Sequence, residues 1–297
     1  MGEKINDYEM VKILKQGRFG YIYLANDKIG LKEYVIKKVS KSDNTSAINA
    51  LQRESKFSFN ENGLPQVIDF LEDESFFYLI TAFIEGITLE EYWKSIDRKK
   101  YLSTIQNIIG KLEPIMLKLS EENVIHCDIK PSNIIVNQTE DKFDLSLVDF
   151  GLAIDKNEVE NRALQFPLGY AAPELLLNEL DLVTAKTDVF SLGIMIWRMI
   201  VGKLPLHHPN PSIYTNLQLT HPVPQDSRLN TELYEIIAKA TVKPKFKLPP
   251  NRLQREEVRL LLQESISQRI DINELSSGIQ DLSTTKKRWF FFSKGLF

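Results

Sequence analysis

The chain has 297 residues, of which 43% are hydrophobic and 26% are charged, so its composition is globular and its length is roughly twice that of one average domain. It carries 37 basic and 40 acidic side chains, and the resulting formal net charge of −3 gives no overall positive field that would favour nucleic-acid binding. A single cysteine, Cys127, excludes an internal disulfide framework.

The first ten residues, MGEKINDYEM, contain no apolar stretch of the length that a signal peptide requires. Asn6 occupies the position at which N-myristoylation requires Ser or Thr. The longest strongly apolar segment, FSLGIMIW, begins at Phe190 and is followed by Arg198, which makes it far shorter than the ~20 residues of a membrane-spanning helix. We therefore expect a cytoplasmic protein.

The amino-terminal part, from Tyr8 to about Thr81, is rich in short β-forming runs. These runs read YEMVKILK, GYIYLA, EYVIKKV, PQVIDFL and FFYLITAF. The polar gap at 45–60 contains INALQRESKFSF and has neither Pro nor Gly, which favours a single helix. This part is predicted to be an antiparallel sheet with one helix inserted.

Helical patterns dominate after Glu85 and Gly86. They are LEEYWKSI, YLSTIQNIIGKLEPIMLKLSEE, DVFSLGIMIWRMIVG, TELYEIIAKAT and INELSSGIQDL. Short strands are predicted only near IIVN and FDLSLVDF, and the proline-rich pieces LPLHHPNPS and KPKFKLPPNR are interpreted as surface connections. The sequence thus predicts a small β-rich part followed by a larger helical part.

Two glycines, Gly17 and Gly20, stand between predicted strands, where residues without a Cβ let backbone amides approach a phosphate. Taken alone, an ordinary hairpin turn is the commoner explanation. Lys37 in EYVIKKV shares its strand face with Val35 and would reach phosphates under this turn, unless it is simply a surface lysine. Glu54, in the helical gap, is a candidate partner for this lysine, with a solvated helix face as the alternative.

The string VIHCDIKPSNIIV carries several functional groups in one loop that is flanked by apolar residues. His126, Asp128, Lys130 and Asn133 are costly to place there unless they have a function. In LVDFGLA, Asp149 ends a second apolar run. Asn133 and Asp149 offer hard oxygen ligands, which suit Mg²⁺ held jointly with the phosphates of a nucleotide. Together these residues predict phosphoryl transfer.

These motifs, in this order, resemble those of the eukaryotic-like protein kinases, and the chain is most similar to their bacterial serine/threonine members. The resemblance runs from about Tyr8 to Leu282 and rests on GRFGYIY, YVIKKV, QRES, HCDIKPSN, DFG, AAPE, TDVFSLG and QRIDINEL. It implies an α+β, bilobal protein-kinase-like fold, with a small β-rich N-lobe that has one main helix and a larger, mostly helical C-lobe. The implied boundaries are 1–84 for the nucleotide-binding N-lobe, 85–282 for the C-lobe with the catalytic loop and activation segment, and 283–297 for a basic aromatic tail.

The resemblance also implies a role for each matching residue. Asp128 would be the catalytic base or hydroxyl orienter, and Lys130 would clamp the transferred phosphate. Asn133 and Asp149 would hold Mg²⁺. The Lys37–Glu54 pair would position the α- and β-phosphates of ATP.

The implied nucleotide site draws mainly on the N-lobe. Its residues are Leu14, Gly17, Gly20, Ile22, Val35, Lys37, Thr81, Ala82, Ile84 and Ile135. The stretch 81–84 would be the hinge that meets the adenine edge through backbone groups, and Thr81 would lie behind the adenine. For the apolar members, ordinary core packing stays an alternative explanation.

Two departures from the family pattern bear on regulation. Lys15 replaces the first glycine of the phosphate loop but leaves the other two. Cys127 replaces the arginine before the catalytic aspartate, which removes the cation that would pair with an activation-loop phosphate. From Asp149 to Glu174 there is no Ser or Thr, and the only hydroxyl is that of Tyr170. We therefore expect activity that does not depend on phosphorylation of the activation loop.

The choice of substrate hydroxyl rests on two positions. Pro167 stands where serine/threonine kinases place a threonine, and this feature is similar to tyrosine kinases. Lys130 matches the serine/threonine members, so we expect Ser or Thr hydroxyls of proteins as substrates.

Three further residues are expected to stabilise the C-lobe rather than to take part in the chemistry. Glu174 is expected to form a buried pair with Arg269, with Arg252 as a rival for that role, and Asp188 is expected to brace the catalytic loop.

Two surface segments suggest partners. The stretch 243–259 is locally basic, which usually indicates a solvated face, but it is also a candidate dock for an acidic substrate or regulator. Its basic residues are Lys243, Lys245, Lys247, Arg252, Arg255 and Arg259. The tail at 286–297 joins basic residues to Trp289 and Phe290–Phe292, which suits peripheral contact with a membrane or a partner, or packing on the C-lobe.

Two other functions stay open. A pseudokinase that binds nucleotide without transfer and acts as a scaffold is supported by Lys15 and Cys127 alone. A small-molecule phosphotransferase would keep a related catalytic loop, but AAPE, TDVFSLG and Arg269 favour a protein kinase.

Overall fold

The computed structural model describes residues 4–17, 20–42, 45–158 and 166–292, with side chains up to Leu282. The described residues fall into two compact units. The amino-terminal unit comprises those up to Leu89 and the segment Asn133–Ala153, and the carboxy-terminal unit comprises Glu90–Ser132 and those from Ile154 onward. The division at residues 84 and 282 that the resemblance implies stays a prediction.

The strands and helices of the described residues are numbered in chain order. The strands are β1 (Lys4–Ile5), β2 (Tyr8–Gly17), β3 (Gly20–Asp27), β4 (Glu33–Ser40), β5 (Val67–Glu72), β6 (Phe76–Ala82), β7 (Ile87–Thr88), β8 (Val124–Ile125), β9 (Ile134–Gln138), β10 (Phe143–Leu147) and β11 (Ile154–Asp155). The helices are α1 (Thr45–Glu54), α2 (Leu89–Lys94), α3 (Tyr101–Glu121), α4 (Pro173–Leu176), α5 (Ala185–Val201), α6 (Pro211–Thr220), α7 (Thr231–Ala240), α8 (Arg255–Gln268) and α9 (Ile272–Phe292).

An antiparallel sheet with the strand order β1-β2-β3-β4-β6-β5 forms the main layer of the amino-terminal unit. Successive side chains of a strand point to opposite faces, so β4 contributes to two clusters. Ile36 is fully buried with Met10 and Tyr78 on one face. Val39 packs on the other face against Leu51 of α1. Helix α1 is therefore attached to the face of β4 that also carries Lys37.

The hairpin of β9 and β10 belongs to the same unit and pairs Ile134 with Leu147. Beyond this pair, the backbone N–H of Val148 donates to the carbonyl oxygen of Asn133 at 2.9 Å. The pairing brings Asn133 next to the residue that precedes Asp149, although the two are far apart in sequence.

Helices α3, α5, α7 and α9 pack together in the carboxy-terminal unit, and α5 is buried along most of its length. Gly193 lets α5 approach α7 closely, because a Cβ at this position would lie 2.7 Å from Cγ2 of Thr241. Asp188, in the first turn of α5, is 1% exposed. The burial of α5 thus fixes a carboxylate inside this unit.

The predicted strands between Tyr8 and Thr81, the helix in the 45–60 gap and the helices at α2, α3, α5, α7 and α9 are confirmed. Three helices of the described residues were not predicted, the short α4 and the longer α6 and α8. Helix α6 begins at Pro211, directly after a segment interpreted as a connection, and the side chain of Asn210 caps the N–H groups of Ser212 and Ile213. Proline fits the first turn of a helix because its missing N–H would have no intrahelical partner there.

The carboxy-terminal tail is a continuation of α9, whose backbone stays helical to Phe292. The side chains from 283 to 292 and the residues 293–297 lie outside the described part, so the predicted role of the tail is not tested. No helix in the described part of the chain combines the length and apolarity that a membrane span needs.

Candidate active site

Lys37 of β4 lies at the centre of a charged cluster in the amino-terminal unit. Its Nζ atom is 2.7 Å from each carboxylate oxygen of Glu54 and 2.9 Å from Oδ1 of Asp149. The side chains of Lys37 and Glu54 are 19% and 8% exposed, whereas that of Asp149 is 45% exposed. The structure therefore brings together three predicted site residues that come from β4, α1 and the turn after β10.

The electrostatics of this cluster favour a charged lysine. Burial alone would lower the pKa of Lys37, but the carboxylates of Asp149 and Glu54 outweigh burial and raise the pKa above its usual value. Lys37 is consequently protonated at neutral pH and can act as a fixed cation toward an anionic ligand.

The turn that carries Asp149 has an unusual backbone. Asp149 has a φ of +73°, a region that residues other than glycine rarely adopt. The ring of Phe150 is fully buried, with centroids 5.7 Å from Phe57 and 5.3 Å from Phe59. The aromatic packing of Phe150 holds the turn, so that Asp149 points its carboxylate toward Lys37.

The oxygens of Asn133 and Asp149 fit the chemistry of Mg²⁺, which prefers oxygen ligands and commonly takes only one or two carboxylates together with substrate phosphates. The hairpin pairing described above brings the two residues to the same end of β9 and β10. Within the described ranges, no group of three His, Cys, Asp or Glu side chains is arranged to hold a metal ion. Mg²⁺ at this end of the hairpin would be held by these two residues together with a phosphate ligand.

The glycine turn of the predicted phosphate loop lies between β2 and β3, whose last described pair is Gly17 with Gly20. Residues 18 and 19 at its tip lie outside the described part. Gly20 has a φ of +154°, and a Cβ there would lie 2.2 Å from the carbonyl oxygen of Lys38. The neighbouring strand β4 therefore leaves no room for a side chain at position 20. The packing of the sheet alone requires a glycine there.

The residues predicted to surround adenine lie on neighbouring strands of the amino-terminal unit. β4 pairs Val35 with Thr81 and Tyr34 with Ala82, and β3 pairs Ile22 with Lys37. Ile84 follows β6, and Ile135 lies on β9. Among the predicted wall residues, Ile22, Val35, Thr81, Ala82, Ile84 and Ile135 are half-buried. Leu14 is more open, with 44% of its surface exposed.

The loop 126–130 is held from within the carboxy-terminal unit by Asp188. The N–H groups of His126 and Cys127 donate to Oδ2 and Oδ1 of Asp188, each at 2.8 Å. Burial raises the pKa of Asp188 to about 7, although these two hydrogen bonds act against the rise. Asp188 braces this loop in the described geometry, as the resemblance implied.

Asp128 and Lys130 form a pair on that loop. Nζ of Lys130 is 2.5 Å from Oδ2 of Asp128, and Asp128 is 6% exposed. A buried carboxylate beside a cation can orient or deprotonate a hydroxyl group, while the cation can contact a phosphate oxygen. The two functional groups that the sequence predicts for this loop are thus adjacent.

Cys127 contacts apolar side chains, although its neighbours on the loop are polar. It is 1% exposed and belongs to a cluster with Ile154 and Leu175, against which Phe166 also packs. Burial, and next the nearby Asp188 carboxylate, raise the pKa of the thiol well above its usual value. Cys127 is therefore an inert thiol that packs the activation segment.

The buried structural pair is formed by Glu174 and Arg269. Nη1 and Nη2 of Arg269 donate to the two carboxylate oxygens at 2.6 and 2.9 Å, and both side chains have zero exposure. Thr187 adds a hydrogen bond to Glu174 at 2.8 Å. Arg252, the rival for this role, is exposed.

Three of the six basic residues between 243 and 259 are not available in the way that the docking hypothesis requires. Lys243 is buried. Arg255 lies 2.9 Å from Glu179, and Arg259 contacts both Glu179 and Asp181 at 2.5 Å. Lys245, Lys247 and Arg252 are exposed. The basic surface at 243–259 is therefore smaller than the sequence suggests, because the two arginines of α8 form ion pairs with Glu179 and Asp181.

Sequence reasoning missed two arginines near functional segments. Arg53, directly before Glu54, donates to the carbonyl oxygen of Gly151. Arg198 of α5 donates to the hydroxyl of Tyr170 and to Oε1 of Glu90, both at 2.7 Å. The sequence did contain a signal for each arginine. Arg198 directly follows a long apolar run, and Arg53 stands beside Glu54, a predicted site residue.

Comparison with known proteins identifies the family of this chain. Residues 8–275 match the family profile described as the protein kinase domain. A curated relative, the serine/threonine-protein kinase PrkC of Bacillus subtilis (strain 168), is 25% identical over 261 residues, which cover 83% of this chain and 39% of that protein.

Eukaryotic proteins also match. The probable serine/threonine-protein kinase samkB of Dictyostelium discoideum is 28% identical over 211 residues, covering 68% of this chain and 35% of that protein. The Aurora/IPL1-related protein kinase 2 of Caenorhabditis elegans is 27% identical over 214 residues, covering 70% of this chain and 68% of that protein. The chain thus spans well under half of the length of PrkC and samkB.

Proposed function

Because this chain belongs to the protein kinase family, we propose that it transfers the γ-phosphate of ATP to Ser and Thr hydroxyls of protein substrates. The observation that carries this proposal is the cluster of Lys37, Glu54 and Asp149, in which one cation is held by two carboxylates from separate elements. A scaffold that bound no nucleotide would have no need to maintain a half-buried lysine between two acids, since such a cluster is costly to desolvate.

In this proposal each residue has one task. Lys37, held by Glu54, donates to phosphate oxygens, and Asp149 with Asn133 supplies oxygen ligands to Mg²⁺. When bound, Mg²⁺ supplies positive charge that offsets the charge of the phosphates. Asp128 accepts the hydrogen bond of the substrate hydroxyl and orients it, and Lys130 contacts the transferred group.

The nucleotide is proposed to lie against half-buried apolar side chains of β3, β4 and β9. Ile22, Val35 and Ile135 would contact the adenine, with the backbone of 81–84 at its edge and Gly17 and Gly20 near the phosphates. The exposed Leu14 would cover the adenine from β2. The proposed lobe boundaries at residues 84 and 282 rest on the resemblance to protein kinases.

Specificity for Ser and Thr is supported by Lys130 and by the similarity to PrkC, a serine/threonine-protein kinase, and samkB, a probable one. Pro167 is the feature against it. Phosphoamino-acid analysis of the labelled product decides between the two, and a product with phosphotyrosine alone would contradict the proposal.

Independence from activation-loop phosphorylation is part of the proposal. Cys127 contributes to an apolar cluster with Ile154 and Leu175, and burial of apolar surface stabilises a segment without any added charge. The hydroxyl of Tyr170 is engaged by Arg198, and burial raises its pKa to about 12. Phosphatase-treated enzyme should keep its full activity, so an activity that disappears with a phosphate between Asp149 and Glu174 would refute this part.

The proposed partners are an acidic segment of a substrate or regulator at Lys245, Lys247 and Arg252, and a membrane surface at 286–297. Charge reversal of the three exposed residues should weaken substrate binding if the first is right. Co-sedimentation with anionic liposomes, with and without 286–297, tests the second, and equal binding of both proteins would contradict it. The proposed location is the cytoplasm, with peripheral contact to a membrane.

The decisive experiment measures transfer of labelled γ-phosphate from ATP with Mg²⁺ to generic basic proteins by wild type and Asp128→Asn. We expect label with wild type and roughly 100- to 10,000-fold less with the variant. Label on metabolites but on no protein would support a small-molecule phosphotransferase. Absence of transfer to any protein or metabolite, together with a rise in Tm on adding ATP and Mg²⁺, would support the pseudokinase that binds nucleotide without transfer.

A further inference from the structure

Arg53 is a buried basic residue in α1 for which the proposed chemistry has no role. It is 7% exposed, and its Nη1 atom donates to the carbonyl oxygen of Gly151 at 2.6 Å. Basic side chains are rarely buried unless a polar group satisfies them. The charged donor and the short distance make this a strong hydrogen bond for one that ends on a neutral carbonyl.

The carbonyl that Arg53 contacts belongs to the turn of Asp149. Gly151 is two residues beyond Asp149, which has the strained φ of +73°. A Cβ on Gly151 would lie 3.4 Å from Cβ of Ala50, so the turn packs directly on α1. Helix α1 therefore holds the far side of this turn through Ala50 and Arg53.

Two consecutive residues of α1 thus act on the two sides of the same turn. Glu54 binds the ammonium of Lys37, which in turn binds Oδ1 of Asp149. Arg53 binds the backbone beyond Asp149. A turn with an uncommon backbone conformation persists only when its surroundings fix it, and these two links supply that constraint.

We infer that Arg53 is a positioning residue: by holding Gly151 against α1, it fixes the orientation in which Asp149 presents its carboxylate to Mg²⁺. This inference rests on the proposed function, in which Asp149 is a metal ligand. Arg53 itself contacts neither substrate nor metal in this role. Arginine suits the position because its planar guanidinium stays charged and presents Nη1 to the carbonyl in a fixed direction, whereas lysine carries a compact ammonium on a different stem.

The test compares wild type with Arg53→Met and Arg53→Lys, and uses Gln52→Met, an exposed position on the same helix, as the matched control. The first readout is the rise in Tm that ADP causes with and without Mg²⁺, and the second is the Mg²⁺ concentration that gives half-maximal transfer. For Arg53→Met we expect the Mg²⁺-dependent part of the rise to shrink and the half-maximal concentration to increase about tenfold. The effect of ADP alone should stay as in wild type, and Arg53→Lys should show a smaller increase.

Several outcomes would overturn the inference. One is wild-type Mg²⁺ dependence in folded Arg53→Met, and another is a parallel loss of the responses to ADP and to Mg²⁺, which would indicate a structural role alone. If Arg53→Met does not fold, Arg53→Lys decides, and a Mg²⁺ dependence equal to that of wild type counts against the inference. If wild type shows no transfer, the proposed function fails, but the Tm response to Mg²⁺ still tests Arg53.

Discussion

Two lysines with low solvent exposure, one in each unit, show how partners rather than burial decide the charge state of an ammonium group. Lys37 has two carboxylates within 2.9 Å, and its pKa is raised. Lys243 is 8% exposed, and in the described part of the chain its Nζ has no hydrogen-bond partner. Burial, and next the charge of Arg269, lower the pKa of Lys243 to about 7.

The difference follows from what lies around each ammonium. The ammonium of Lys243 lies 5.9 Å from the ring centroid of Phe190, and the charge of Arg269 acts on it. The carboxylate of Glu174 is already bound by both ends of the Arg269 guanidinium. A lysine that binds a phosphate must stay charged, and the carboxylates around Lys37 ensure this. Lys243 has no such carboxylates, so its burial costs folding free energy and supports no chemistry that we can identify.

Removing the paired lysine should have the largest effect. Lys37→Met leaves Glu54 and Asp149 facing each other without a cation, so we expect a loss of about 3–5 kcal/mol in the free energy of unfolding. Transfer by the folded fraction should fall about 100- to 1,000-fold, because one preorganised donor to the phosphates is lost. Denaturant unfolding and label transfer measure the two effects.

The matched control is Lys12→Met, an exposed position on β2 of the same sheet. It should leave both quantities close to those of wild type. Equal stability of Lys37→Met and wild type would show that the cluster does not hold α1 to the sheet, and would weaken the comparison between the two lysines.

Replacing Lys243 should change the free energy of unfolding in the opposite direction, toward higher stability. The pKa of Lys243 is about 7 in the folded protein and 10.5 as the ordinary value, so between these pH values the unfolded chain binds a proton that the folded chain does not. The cost is therefore fully present below pH 7, and stability rises as the pH increases from 7 toward 10.5. Lys243→Met should be more stable at pH 7 by up to about 4 kcal/mol.

The measurement is the free energy of unfolding at several pH values between 7 and 10, with Lys245→Met as the exposed control. The difference between Lys243→Met and wild type should shrink as the pH rises. A difference that does not change with pH would mean that Lys243 is charged in the folded protein, and the two lysines would then be alike.

Much of the fold was predictable because it follows local patterns. The strand runs before Thr81 and the helices at α3, α5 and α9 have clear periodicity, and the family match confirms the α+β bilobal kinase fold. Helix α6 was missed because the residues around its start, HPNPS at 208–212, carry the turn signals of a loop. Helix α8 was missed because its first turns are rich in charged residues, and its two arginines pair with Glu179 and Asp181 from another segment.

The candidate site was predictable in its residue types but not in its contacts. The sequence indicated Lys37 with Glu54, and the structure adds Asp149 as a second partner of the lysine. It also indicated a basic run at 243–259, but could not show that Lys243 is buried. Pairing across 112 positions in the chain depends on tertiary packing, which no local pattern records.

Asp188 is a third kind of buried charge, because its partners are backbone N–H groups. Asp188→Asn keeps one acceptor but turns an amide NH₂ toward the N–H of His126 or Cys127. We expect a loss of about 1–3 kcal/mol in the free energy of unfolding, since one buried donor is left unsatisfied. Transfer should fall as well, because the loop that carries Asp128 loses an anchor.

Asp181→Asn is the control for Asp188→Asn, since Asp181 accepts from Arg259 near the surface. Wild-type stability of Asp188→Asn would show that this carboxylate is protonated and already donates a hydrogen bond. That result would place Asp188 with Lys243, as a group that burial has neutralised, rather than with Lys37.

The smallest effect is expected for Arg255, the most exposed of the charged residues compared. The side chain of Arg255 is 75% exposed, and it contacts Glu179 at 2.9 Å, so water and salt screen the pair. Arg255→Gln should leave Tm unchanged within the reproducibility of the measurement, at low and at high salt. Because Arg259 also binds Glu179, the carboxylate keeps a partner when Arg255 is lost. A clear drop in Tm at low salt would show that α8 depends on this surface pair, and pairing would then matter even where a charge is free to meet water.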